Sequence, residues 1–174
     1  MAKVEIDIDP VLHITTDAIG KPGSRVFYIQ GASSEQVVTL LVEKFQVQTL
    51  AVGMQQFLTE VAERFPELGE PVQDLQPDKM KISPPVDPLF RVGEFGLGYD
   101  QERDRVVLLA REIQVEGQEP DDVGVVRFWC TREQVLHFSR WAVEVVSRGR
   151  PICPYCGEPM DADHFCPKKN GHKH

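Results

Sequence analysis

Long apolar runs are missing from this chain. No stretch approaches the roughly 18 to 20 apolar residues that a spanning helix needs, and Met1-Ala2-Lys3-Val4-Glu5-Ile6-Asp7 carries acids where a secretory signal would be apolar. The expectation is a cytoplasmic protein with no membrane segment. Positive charge is also in short supply, with 19 Lys/Arg against 27 Asp/Glu, a formal charge of −8 and a pI near 5.1. From Arg148 onward five Lys/Arg face three Asp/Glu, leaving the tail at +2 and the rest at −10. Such a balance disfavours nucleic-acid binding, because a phosphate backbone is repelled unless basic residues cluster. Catalytic constellations are lacking too. Gly93, Gly96 and Gly98 lie within and after an expected strand, and no lysine-serine pair follows, so they are no phosphate loop.

Cysteine is scarce, four in 174 residues, but three of the four are bunched. Cys153-Pro154-Tyr155-Cys156-Gly157 is followed by His164-Phe165-Cys166-Pro167 and then by His172 and His174. In a reducing compartment thiols so placed are metal ligands before they are disulfides. Three thiolates and one imidazole meet the tetrahedral preference of Zn²⁺, and Gly157 can turn backbone amides toward the sulfurs. The expected ligands are Cys153, Cys156, Cys166 and His164. His164 and Cys166, two apart, point the same way in an extended segment; His172, after the Asn170-Gly171 turn, is the alternative fourth ligand. Four protein ligands close the shell and leave no water to activate, so the zinc is expected to be structural and to fold the tail. Cys-Pro-Tyr-Cys is also the glutaredoxin tetrapeptide. Here only eighteen residues follow it, and Gly157 and Pro159 oppose a helix after Cys156.

The remainder, residues 1–150, reads as an α+β body with 41% hydrophobic residues in the chain to supply a core. After an acidic lead-in, Val11 to Asp17, Arg25 to Gln30 and Val37 to Val42 read as strands separated by Gly-rich turns. Val47, Leu50, Ala51, Met54, Phe57, Leu58, Val61 and Phe65 then form one helical stripe ending before Pro66. Six prolines between 66 and 88 mark a connector. Beyond it the order repeats: Leu89 to Gly96, a turn at Tyr99 to Asp104, Arg105 to Ile113, an acidic turn at Glu119 to Asp122, Val123 to Cys130, and a helix from Thr131. Thr131 with Gln134 has the form of a capping box, and Gly149 with Pro151 stops the helix.

Val37-Val38 and Gln46-Val47 recur 88 positions later as Val125-Val126 and Gln134-Val135, and Arg25-Val26 is echoed by Arg105-Val106. The reading is a duplicated βββα unit, with halves at about 11–65 and 89–149. Joined, they predict a six-stranded antiparallel sheet covered by two helices, with a small zinc-ribbon-like tail at 151–174.

Most other chemistry-bearing residues have ordinary roles. Cys130 closes a strand far from the cluster and reads as a small buried apolar residue. His13 and His137 have no cysteine or carboxylate pair nearby. Trp129 and Trp141, with Phe128 and Phe138, can line a pocket but more often fill a core. Asp121-Asp122 is turn chemistry.

Phe90-Arg91-Val92-Gly93, Asp104-Arg105-Val106-Val107 and above all Gly149-Arg150-Pro151 leading into Cys-Pro-x-Cys-Gly, His164-x-Cys166-Pro167 and Asn170-Gly171 carry a resemblance. Over nearly its full length the chain resembles the uncharacterised bacterial proteins grouped as domain of unknown function 3090. Asp163 stands where that pattern has glycine. The resemblance implies genes adjacent to those of a phosphatase-like and a kinase-like protein, hence partners in phosphoryl transfer, and brings no activity with it.

Two readings of function follow. One is a noncatalytic binding or adaptor module whose tail presents Tyr155, Phe165, Lys168 and Lys169 to a protein partner. The other is an enzyme or small-ligand domain with its site at the junction of the two repeats and the connector as a lid. The residues lean away from an enzyme and leave substrate, partner identity and oligomeric state open.

Overall fold

The computed structural model describes residues 4–21, 23–71 and 75–148. The expected zinc ligands Cys153, Cys156, Cys166 and His164, with His172 as the alternative, lie outside the described residues, as do the helix stops Gly149 and Pro151. The body is α+β, with seven strands and two α-helices: β1 (Glu5–Ile8), β2 (His13–Ile19), β3 (Val26–Ala32), β4 (Val37–Val42), α1 (Lys44–Arg64), β5 (Val92–Asp100), β6 (Arg105–Glu112), β7 (Val125–Cys130) and α2 (Arg132–Ser147).

The single antiparallel sheet of six strands is not what forms. The strands make two sheets, one ordered β1-β7-β6-β5 and the other β2-β3-β4, and β1 pairs with β7 in parallel. Part of the discrepancy is β1 itself, expected as an acidic lead-in. Glu5-Ile6-Asp7-Ile8 alternates polar and apolar residues, and Ile8 is fully buried. The rest follows from two places where the chain crosses between sheets. After Pro10, which has no N–H to donate, Val11 N–H donates to Trp129 O (3.0 Å) and Leu12 N–H to Ala32 O (2.8 Å). At the opposite seam Leu89 N–H donates to Thr39 O (2.8 Å) and Leu41 N–H to Phe90 O (2.9 Å). The sheets are thus stitched along both seams, which one flat sheet could not achieve.

Within each half the pairing repeats row for row. Ala18–Phe27–Val42 answers to Tyr99–Val106–Cys130, Thr16–Ile29–Leu40 to Leu97–Leu108–Phe128, and Ile14–Gly31–Val38 to Phe95–Ala110–Val126. The 88-residue correspondence therefore carries β4 onto β7, whereas Phe27, not Val26, matches Val106. The Arg25-Val26 echo is out of step by one position, which in a strand exchanges the two faces. Gly31 is small because the sheets meet there: a Cβ would stand 2.4 Å from the Phe128 ring. β5 runs on through Tyr99 and Asp100, past the expected turn, because Phe95, Leu97 and Tyr99 alternate with glycines and pack against the core.

α1 and α2 pack against each other. Val47, Leu50, Ala51, Met54 and Val61 are buried on α1, and Val135, Phe138, Trp141, Ala142, Val145 and Val146 on α2. Each helix is fastened by the glutamine at its third position. Gln134 Oε1 accepts from Thr131 N–H (2.8 Å), completing the capping box in which Thr131 Oγ1 accepts from Gln134 N–H (3.0 Å). Gln46 Oε1 likewise accepts from Glu43 N–H (2.8 Å). The same amides then reach into the other half: Gln46 Nε2 donates to Val92 O (3.0 Å) and Gln134 Nε2 to Val11 O (2.8 Å). Each helix start is pinned where the other half's strand leaves its seam, so the halves interlock.

Candidate functional site

Where the two halves meet, a cleft lies between α1, from the first half, and β5, from the second. It encloses about 340 Å³ and is lined by Phe45, Gln46, Thr49, Leu50 and Gly53 of α1 and by Gly93 to Leu97 of β5. The helix contributes every fourth residue, Phe45, Thr49 and Gly53, as a stripe along one side. Phe45 is 68% exposed at the mouth and Leu50 is buried at the floor. Among the described residues β5 is an edge strand of its sheet: beyond Arg91 it pairs there only with β6 and turns its other edge toward α1. Gly93 permits a tight approach to β6, since a Cβ there would stand 2.9 Å from Ile113 Cα. A second hollow, of about 720 Å³, lies further along α1 and is lined by Phe57, Glu60, Glu63 and Arg64 and by Tyr99 and Gln101.

Beside Tyr99 lies a two-pronged ion pair between Arg132 and Asp104. Arg132 Nε donates to Asp104 Oδ1 (2.8 Å), its Nη2 to Asp104 Oδ2 (3.1 Å) and its Nη1 to Gly69 O (2.7 Å), while Tyr99 Oη donates to Asp104 Oδ1 (2.7 Å). The Arg132 hydrogen bonds hold the Asp104 carboxyl below the usual range, against the opposing effect of burial. Burial first, then the bond to Asp104, pushes the Tyr99 phenol up to about 12. Asp104 sits at a φ of 52°, a left-handed position that aspartate tolerates, and there it ties the β5–β6 turn to the start of α2. Every partner in this cluster is a structural one.

The other expected residues fall as follows. Cys130 is 1% exposed, and burial pushes its thiol up to about 12, so it is a core atom and not a thiolate ligand. His13 Nε2 donates to Lys79 O (2.7 Å). His137 is half-buried on α2. Phe128, Phe138 and Trp141 are core residues, whereas Trp129 is half-exposed, donates Nε1–H to Asp7 Oδ1 (3.0 Å) and lies under Arg103. Asp121 and Asp122 occupy a 3₁₀ turn. Among the described residues no group of three His, Cys, Asp or Glu could hold a metal ion. No helix there is long and apolar enough to cross a membrane.

Among the described residues, none of the connector lines the cleft. Its second part is strapped to β2 and β3 by Thr15 Oγ1 donating to Met80 O (2.6 Å) and by Gln30, whose amide donates to Ser83 O (2.9 Å) and accepts from Ser83 N–H (2.8 Å). Gln30 and Thr15 are almost fully buried beneath it. Sequence reasoning passed over Gln30, Thr15 and the Asp104–Arg132 pair. Polar residues inside strands were the available signal, because a buried amide requires partners.

Neither a curated protein nor a solved structure matches the chain. The family model described as a protein of unknown function (DUF3090) matches residues 7–166, and the chain belongs to that family.

Proposed function

We propose that this chain is a noncatalytic binding module: an interlocked α+β body that offers the α1–β5 cleft to a protein partner and carries a zinc-folded tail. The observation that carries this reading is the cleft itself, largely apolar and glycine-lined, open beside a strand edge that pairs with no other strand among the described residues, with the Asp104 carboxylate close by committed to Arg132 and Tyr99. Edge strands and adjacent helices are a common setting for an added peptide strand, in which backbone bonds supply affinity and a pocket supplies selectivity. In the tail, Zn²⁺ takes Cys153, Cys156, Cys166 and His164, or His172 in place of His164, as a closed structural shell. The family resemblance makes proteins of phosphoryl transfer the natural partners, and the chain works in the cytoplasm.

Two measurements test this. Elemental analysis of untagged protein should give one zinc per chain, and a value well below one ends the metal reading. Co-purification with the full chain and with residues 151–174 deleted should give different partner lists; identical lists remove the tail as a docking element.

A second reading, a small-ligand domain, gains support from the cleft's position at the junction of the halves. Saturable stabilisation of the body by an apolar small molecule, lost when Gly53→Leu narrows the cleft, would favour it over a protein partner.

A further inference from the structure

Among the cleft-lining positions at which the two halves differ, Gly53 stands out. The correspondence that carries β4 onto β7 also carries α1 onto α2, matching buried with buried: Val47 with Val135, Leu50 with Phe138, Ala51 with Ser139, Met54 with Ala142. In this alignment Gly53 is the counterpart of Trp141. Trp141 is 5% exposed, wedged between α2 and β2, and its indole N–H donates to the Thr16 carbonyl on the open edge of β2 (2.9 Å). By the strand rows, the counterpart of Thr16 is Leu97 on β5.

The first half therefore has the same seat without its occupant. A Cβ on Gly53 would meet nothing within 4 Å, and Gly53 and Leu97 both line the cleft. α2 lies close along β2, whereas α1 stands off from β5. Glycine in a helix interior is costly, and the backbone geometry of α1 gives no reason for it. What Gly53 provides is room.

We infer that the cleft receives a tryptophan side chain from a partner polypeptide, with the ring between Phe45, Leu50 and Leu97 and the indole N–H on the Leu97 carbonyl. The occupant is identified by the molecule's own second half, which closes the equivalent gap with an indole on an equivalent carbonyl. It has to come from outside the chain, because the sequence holds only two tryptophans, one buried at 141 and the other bonded to Asp7 at 129. The unpaired edge of β5 favours a ring carried on an extended backbone over a free compound. This inference rests on the binding-module reading and sharpens it.

The test is a titration of the isotope-labelled full chain with N-acetyltryptophan amide, followed through backbone amide shifts. Saturable shifts at Phe45, Gly53 and Gly93 to Leu97 are expected, with the 1-methyl analogue about fivefold weaker, the factor of one uncharged hydrogen bond. Gly53→Trp, which supplies the ring in cis, should abolish those shifts and raise the melting temperature. Absence of any shift at these positions in the unsubstituted chain overturns the inference whether or not Gly53→Trp folds. Capture of the same partners by the full chain and by folded Gly53→Trp also overturns it, while leaving the binding-module reading standing. Free indole binding as tightly as a five-residue extended peptide with central tryptophan would contradict the polypeptide source.

Discussion

Asp104 shows how a single carboxylate can do structural work that resembles a catalytic arrangement. Its two oxygens take three donors from Arg132 and Tyr99, and its left-handed backbone places them. Asp104→Asn keeps the shape and tolerates the same φ, so it isolates the charge. The variant should be less stable by about 1–2 kcal/mol at neutral pH, a figure already reduced for the partial exposure of the carboxylate. Because the folded carboxyl is held below its unfolded value of about 3.9, this contribution is complete above that pH and disappears as pH falls through the folded value. Urea midpoints of both proteins at pH 7 and at about pH 3 check it, and the gap should be narrower at the lower pH. Cys130 supplies a second expectation. With its thiol buried and raised, it should stay silent to a thiol-specific reagent in the native protein and react only on unfolding, a difference read by mass spectrometry after quenched labelling.

The helices carry the logic of the interlock. Gln46 and Gln134 each satisfy an N-cap N–H and a strand carbonyl in the opposite half. Replacing either with alanine removes a cap and leaves a carbonyl without its partner, so Gln46→Ala and Gln134→Ala should each cost about 1–2 kcal/mol in denaturant unfolding. The helices were legible in the sequence because their apolar stripes and caps are local: Val47 to Val61 recur at helical spacing, and Thr131 with Gln134 is a short motif. Strands β2 to β4, β6 and β7 were legible for the same reason. β1 was not, because four residues with two acids look like a solvated terminus until Val125 and Phe128 are placed beside them. The two-sheet arrangement was hidden as well, since a strand that changes partners at Pro10 or at Phe90 reads locally like one that does not. The cleft was foreseen only as a location. Its signature is the pairing of Gly53 with Trp141, a contrast visible only once the rows of both halves are aligned in space.

At the scale of the whole molecule, the described body has a continuous apolar core from Ile8 to Val146. The tail, by contrast, is short and polar, and the zinc reading gives it its only source of fold. Exhaustive chelation should therefore release one zinc and expose Cys153, Cys156 and Cys166 to thiol reagents, yet leave the thermal transition of the body nearly unmoved in circular dichroism. A body that melts on chelation would mean that the tail is part of its core. The central claim is that the cleft where the halves meet is where a partner docks. Placing a photo-crosslinking amino acid at Phe45 tests it most directly, with Val143, similarly exposed on α2, as the control position. The account predicts a discrete crosslinked partner from position 45 and none from 143; equal adducts at both, or none at 45, would contradict it.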